Sequence, residues 1–140
     1  MNLYRLGVLL GWLIVISYVL TISNYWLKFA NRRYFSKLAK DSPGRLAFQK
    51  VSRFFFKYHF IFGFITAAAM IAHFILQFLN WGPVYTGIIT AALLVIQVSL
   101  GAFGQFKQKK KAGAWLYIHR VNAVLLFIMV AVHVIAVNYL

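Results

Sequence analysis

The four histidines of this chain form two pairs with one spacing. His59 and His73 are 14 residues apart, as are His119 and His133, and the second pair follows the first by 60 residues. Fourteen residues are close to four turns of an α-helix, so both members of a pair share one face, about 21 Å apart along the axis. Two such helices side by side would present histidines to each other at two levels.

Two histidines at one level are the ligand set that fills both axial positions of a haem iron. The chain has no cysteine, and Asp41 is its only carboxylate side chain, which excludes iron–sulfur ligation and paired-carboxylate catalysis. Zinc would have only two histidines per level, and a proton path would lack acidic groups. A structural alternative is that each imidazole hydrogen-bonds across helices. We predict two b-type haems, one held by His59 and His119 and one by His73 and His133.

Four apolar stretches would form the elements that position these histidines. The composition is 63% hydrophobic and only 11% charged, which is typical of a membrane protein. Each stretch can cross a hydrocarbon core of ~30 Å as a helix, and their continuous rather than alternating apolar runs disfavour a barrel. The prediction is an all-α integral membrane four-helix bundle in a single domain, with the haems stacked between the second and fourth helices. The predicted spans are approximately 6–29, 54–79, 84–104 and 116–139.

The basic residues indicate the orientation of the bundle. Of the 15 lysines and arginines, 14 lie between Lys28 and Lys57 or between Lys107 and Arg120, and only Arg5 lies elsewhere. The positive-inside rule therefore predicts that both basic connections are cytoplasmic and both termini are outside. The chain is then a multi-pass protein of the cell inner (cytoplasmic) membrane, with the first histidine of each pair on the cytoplasmic side.

The net charge of +14 would suggest nucleic acid in a soluble protein, but this distribution is explained by membrane topology, so we predict no nucleic-acid partner. The basic connections would contact anionic lipids, an acidic soluble partner, or both. Within the longest polar stretch, Asp41, Ser42 and Pro43 are typical of a helix start. The segment that begins at Pro43 is either a surface helix or an extension of the second span.

Glycines and basic residues complete the predicted haem sites. Gly87 and Gly101, again 14 residues apart, would let a flat macrocycle approach the third helix, although glycine also serves ordinary helix packing in membranes. Arg120 and Arg53 are the propionate candidates on the cytoplasmic side, and Arg5 is the basic one outside. Interface anchoring is the alternative for all three arginines. Polar outer candidates are Asn80, Tyr85, Asn138 and Tyr139.

The histidine register resembles that of dihaem membrane cytochromes b. These include the four-helix haem core of the respiratory bc-complex cytochrome b and the transmembrane domain of ferric reductases and NADPH oxidases. In both, two parallel helices each carry two histidines about 13 or 14 residues apart, as His59, His73, His119 and His133 do here. The later helices and quinol-site motifs of the former are lacking, as is the flavin- and nicotinamide-binding domain of the latter.

The resemblance implies a minimal haem module that is one subunit of a larger redox assembly. It would carry electrons between a quinone pool or cytoplasmic donor and an acceptor across the membrane, with soluble or membrane redox subunits at the basic cytoplasmic face. A second hypothesis is a stand-alone quinone or ferric reductase, with a substrate site at one haem edge near Tyr58, Gln105 or Asn122 inside, or Asn80 or Tyr85 outside. A third is a haem-free transporter or anchor.

Overall fold

The computed structural model describes residues 3–107 and 113–139, which form four long α-helices. They are α1 (Leu3–Arg33), α2 (Pro43–Trp81), α3 (Tyr85–Ala102) and α4 (Ala114–Tyr139). A 3-10 turn, Phe35–Lys37, separates α1 from α2, and a π-helical turn, Phe103–Lys107, continues α3. The all-α prediction is confirmed. All four helices are long and apolar enough to cross a membrane, so the chain is a multi-pass membrane protein.

The second helix is longer than the predicted span because the segment from Pro43 is continuous with it. The Ser42 side chain caps the helix by accepting a hydrogen bond from the backbone N–H of Arg45 at 3.4 Å, and Pro43 occupies the first turn, where its missing N–H costs little. At the other end α2 stops at Gly82, whose φ of 78° favours glycine. The polar segment is therefore an extension of the span and not a separate surface helix.

The helices pack as two antiparallel pairs. Extensive contacts join α1 to α2 and α3 to α4, whereas few join the two pairs, most of them between α2 and α3. The short connection from Gly82 to Val84 reverses the chain, so α2 and α4 run parallel. A cleft is left between the pairs, and the histidine-bearing helices lie on either side of it.

The tightest packing lies midway along the cleft. Thr66 and Leu126 are each 1% exposed, the lowest values in the described chain, and Tyr18 and Leu94 are also buried. Thr66 lies seven residues from both histidines of α2, and Leu126 seven from both histidines of α4. The Tyr18 hydroxyl donates to the carbonyl of Ala123, which joins α1 to α4. This middle layer separates the two histidine levels.

The described basic residues are concentrated at the end of the bundle where α1 ends and where α2 and α4 begin, which we call the basic end. Both described termini lie at the other end, the opposite end, together with Arg5. Lys109, Lys110 and Lys111 of the third connection lie outside the described residues. The side of the membrane that each end faces stays a prediction.

Candidate haem-binding sites

The four histidines lie at two levels of the cleft, in the pairs that their spacing predicts. His119 is close enough to His59 to interact with it electrostatically, and His133 is similarly close to His73. We call His59 and His119 the basic-end pair, and His73 and His133 the opposite-end pair.

Two of the rings are held by the backbone of α1. Nδ1 of His59 lies 3.1 Å from the carbonyl oxygen of Thr21, and Nδ1 of His73 lies 3.0 Å from that of Gly7. A carbonyl can only accept, so Nδ1 carries the proton and donates it, and Nε2 keeps its lone pair. Histidines that bind metals are oriented by this kind of bond. Both α2 histidines are thus prepared to ligate through Nε2.

The same nitrogen is engaged in His133, but by a side chain. Its Nδ1 lies 2.9 Å from the hydroxyl oxygen of Thr86 on α3. When Nδ1 donates to this hydroxyl oxygen, Nε2 is left for a metal, so both rings of the opposite-end pair have an Nδ1 contact that fits ligation through Nε2. The spacing of the histidines could not identify Thr86 or the α1 carbonyls as hydrogen-bond partners, because these groups lie on helices other than those that carry the histidines.

His119 is arranged differently. Its Nε2 lies 3.2 Å from the amide nitrogen of Gln97 on α3, and its Nδ1 is buried without a hydrogen-bond partner. Asn122 donates to the amide oxygen of Gln97 at 2.8 Å, which turns the amide NH₂ toward the histidine. Ligation through Nε2 of His119 therefore requires Gln97 to move. Asn122, considered above as a substrate contact, is instead buried against Gln97 and the carbonyl of Leu93.

The two glycines singled out on α3 both lie beside histidine rings. A Cβ at Gly87 would lie 3.1 Å from Cε1 of His133, and a Cβ at Gly101 would lie 3.5 Å from Cε1 of His119. The first of these distances is tighter than ordinary van der Waals contact. Both glycines thus make room for imidazole rings beside α3, and the approach of a macrocycle to this helix stays a prediction.

A third glycine contact, on α1, was missed from the sequence. A Cβ at Gly11 would lie 3.4 Å from Cε1 of His73, one helical turn from the Gly7 carbonyl that accepts from the same ring. Small residues four apart in a membrane helix indicate a close helix contact. The pair Gly7 and Gly11 carried that signal in the first apolar stretch.

A cavity of about 360 Å³ lies between the helix pairs at the level of the opposite-end pair. Its lining includes His73, His133, Gly11 and Gly87, and it extends to the end of the bundle at Trp81. This volume falls in the range of roughly 300–1,000 Å³ typical of cofactor and ligand sites. The lining is mostly apolar and aromatic, as a porphyrin face requires.

The polar groups around this cavity only partly match those predicted. Arg5 is exposed and does not line the cavity, so its role as a propionate partner stays a prediction. Tyr4, Gln77 and Asn138 do line it. The Oε1 atom of Gln77 is buried without a hydrogen-bond partner, one turn of α2 from His73. Gln77 is therefore a polar contact of this site that was missed from the sequence, and Asn138 is one that was named.

At the basic end, Lys28 is a site residue that histidine spacing did not predict. Lys28 interacts electrostatically with Arg120, with Arg32 and with His59, and its ammonium lies 5.4 Å above the Phe56 ring. No carboxylate side chain besides Asp41 exists in the chain to neutralise these groups. Lys28, Arg32 and Arg120 thus form a cationic cluster beside the basic-end pair. It would suit the propionates of a haem.

Arg53 lies on α2 six residues before His59 and is exposed. Its predicted contact with a propionate stays a prediction.

The donor set favours a macrocyclic cofactor over a bare ion. Within residues 3–107 and 113–139, no group of three or more His, Cys, Asp or Glu side chains could hold a metal ion. Two imidazoles per level would provide two ligands, and a porphyrin would provide the other four. The paired rings, the Nδ1 contacts and the cavity together fit haem.

No protein-family model matches the sequence, and comparisons with curated proteins and with solved structures find no match.

Proposed function

We propose that this chain is a dihaem membrane cytochrome b that carries electrons across the membrane. It would be the membrane subunit of a larger oxidoreductase that links a quinone pool or cytoplasmic donor to an acceptor on the other side. The observation that carries the proposal is the pairing of His59 with His119 and of His73 with His133 at two levels of one cleft. The histidine register resembles that of known dihaem cytochromes b.

The protein residues around each pair would fix ring orientation and limit the chemistry. Backbone carbonyls and the Thr86 hydroxyl hold three rings by Nδ1. A haem with histidine on both faces supplies one-electron transfer and has no open coordination position for oxygen or substrate. With about 21 Å between the histidine levels, two haems held there would be separated by much less than that distance at their edges. The middle layer around Thr66 and Leu126 would lie between them.

The orientation we propose follows from charge. The basic end would face the cytoplasm, with both termini outside, because lysines and arginines in short connections are retained on that side. The membrane would be the cell inner membrane. Redox subunits, soluble or membrane-bound, would then meet the protein at its basic end, where anionic lipids also gather.

Spectroscopy of the purified protein tests the proposal. We expect a reduced-minus-oxidised spectrum of low-spin b-type haem and two haems per chain by pyridine haemochrome assay. His73→Ala should remove the opposite-end haem and largely spare the other, and His59→Ala should do the reverse. A folded protein purified from haem-replete cells without haem would contradict the proposal and leave the third hypothesis, a haem-free transporter or anchor.

One observation favours a second candidate function, a quinone or ferric reductase with its substrate site at a haem edge. The cavity at the opposite-end pair continues to the end of the bundle, where Tyr4 and Trp81 meet edge to face at 6.0 Å. A small substrate could approach the cofactor from that end. Reduction of a quinone or a ferric chelate by the purified chain, reduced beforehand with dithionite, freed of excess reductant and without other subunits, would support this candidate over a pure conduit if it is lost in Tyr4→Ala.

A further inference from the structure

The helical hairpin at the basic end projects beyond the described start of α4. His59 and His119 lie at one level of the cleft, yet α2 begins 16 residues before its histidine and α4 only five before. The difference of 11 residues places the start of α2 about 16 Å farther along the bundle axis. We call the projecting segment, residues 31–50, the basic arm.

The basic arm is a compact structure. The rings of Phe35 and Phe48 stack with centroids 3.9 Å apart and planes only 8° from parallel. The Arg45 guanidinium donates to the carbonyl of Leu38 at 2.8 Å, and the Ser42 N–H donates to the carbonyl of Ala39. The turn is thus joined to the start of α2 by an aromatic stack and hydrogen bonds. Arg45 serves this structure and is half-buried.

The remaining charges of the basic arm face solvent. Its exposed basic side chains are Arg32, Arg33, Lys37, Lys40 and Lys50. Asp41 is the single acid in the arm. A surface with charges of one sign raises the association rate of a partner with the opposite charge, and this increase in rate is lost steeply as the salt concentration rises.

The direction of the arm argues against a membrane surface as its partner. A helix that binds the surface lies in the plane of the interface, whereas α2 is unbroken from Pro43 to Trp81 and so continues along the spanning direction. The headgroup layer adds only about 5–8 Å on each side of the ~30 Å core. The far end of the arm, about 16 Å past the start of α4, lies beyond that layer and presents Lys37 and Lys40 to the aqueous phase, while Lys50 lies nearer the headgroups.

We infer that the basic arm is the docking site for a soluble one-electron carrier protein with an acidic surface. The inference rests on the proposed function for the carrier's redox role, but the arm's charge and projection alone indicate an acidic protein. Lys50 lies nine residues from His59, about 14 Å along the helix, so a protein held against the side of the arm lies beside the basic-end pair.

Binding is the first test, because it does not depend on haem. The full chain is placed in nanodiscs of phosphatidylcholine, and a fluorescently labelled acidic [2Fe–2S] ferredoxin serves as the probe. We expect binding that weakens by at least about tenfold as salt rises from ~0.02 M to ~0.15 M. The triple variant Lys37→Glu, Lys40→Glu and Lys50→Glu should lose about tenfold or more at low salt.

Two control variants distinguish binding to the arm from a general effect of the protein's net charge. The triple variant Lys37→Arg, Lys40→Arg and Lys50→Arg keeps every charge and should bind as the parent does. Lys107→Glu removes an exposed base at the same end of the bundle but outside the arm, and should change binding less than twofold or so. The single reversal Lys40→Glu changes the charge by the same amount as Lys107→Glu and should weaken binding more, and equal losses in these two variants would overturn the assignment to the arm.

Electron transfer from the reduced ferredoxin is the second test. In stopped-flow experiments the charge-reversed arm should slow haem reduction by about tenfold, while reduction by a small neutral quinol stays unchanged. Salt-independent reduction, or no binding of the probe, overturns the docking inference. The inference is also overturned if the triple Lys→Glu variant of the arm weakens binding to phosphatidylglycerol vesicles but leaves ferredoxin binding unchanged. A chain without haem overturns the proposed function, but leaves the binding result standing.

Discussion

The amide nitrogen of Gln97 lies 3.2 Å from Nε2 of His119. The ring nitrogen that would bind iron at the basic end is therefore engaged by a protein side chain. Gln97 is itself buried and held by Asn122, so releasing that nitrogen means moving a hydrogen-bonded amide. At the opposite end both rings use Nδ1 for their protein contacts and line an existing cavity. A cofactor could therefore bind at the opposite end without breaking a hydrogen bond to Nε2, whereas at the basic end it would have to displace Gln97.

This difference predicts an order of haem loading. When haem is titrated into haem-depleted protein, His59→Ala, which keeps the opposite-end pair, should take it up faster than His73→Ala, which keeps the basic-end pair. Adding Gln97→Leu to His73→Ala should speed haem uptake toward the rate of His59→Ala, because the amide that competes for Nε2 of His119 is gone. Absorbance of low-spin haem against time gives the rates. Equal uptake by the two histidine variants would count against the role assigned to Gln97.

Gly87→Ala should weaken the opposite-end site. Its new methyl would lie 3.1 Å from Cε1 of His133, so the ring or helix must shift, and ligand geometry is sensitive to such shifts. We expect a reduced haem content and an altered low-spin signal by electron paramagnetic resonance. Gly63→Ala is the matched control, since a Cβ there meets nothing within 4 Å and alanine favours helix by up to about 1 kcal/mol. Full haem content in Gly87→Ala would contradict the prediction.

Gly104→Ala should destabilise the protein by roughly 1–3 kcal/mol, the usual cost of overpacking. The Trp115 indole occupies the space that a Cβ at Gly104 would need, and both lie close to the π-helical turn. Thermal unfolding in detergent measures the effect. Adding Trp115→Leu should recover part of the loss, so the two changes should be non-additive. Additive losses would show that the Trp115 contact is not the cause.

Lys28→Gln should lower the midpoint potential of the basic-end haem. A positive charge near His59 favours the reduced form of the iron, so its removal stabilises the oxidised form. The shift should be on the order of tens of millivolts for one charge at about 10 Å in a partly buried setting. Redox titration of the two haems measures it. Lys50→Gln, in the basic arm, is the charge-matched control and should shift the potential far less.

The histidine register and the helices could be predicted from the sequence because both are local properties. A 14-residue interval keeps His59 and His73 on one face whatever surrounds the helix, and continuous apolar runs fold as helices in a bilayer. The helix start at Ser42 and Pro43 could also be predicted, because the capping hydrogen bond joins residues only three apart in the sequence. The continuity of α2 from that start remained open, because both alternatives have the same local pattern.

The contacts around each ring depended on the tertiary structure. The carbonyls of Thr21 and Gly7, the Thr86 hydroxyl and the Gln97 amide come from neighbouring helices. Helix rotation and depth decide which of many similar groups meets a histidine. Lys28 reaches the basic-end cluster in the same way, from α1.

The sequence by itself determined which residues can ligate metal, how far apart they lie and on which helix faces, because the repeat of an α-helix converts spacing into geometry. Only the tertiary structure decided which nitrogen of each ring is held, how the two levels differ, and that the basic arm projects beyond the bundle. Those features depend on where separate helices stop and how they are rotated against one another, which packing across the cleft controls.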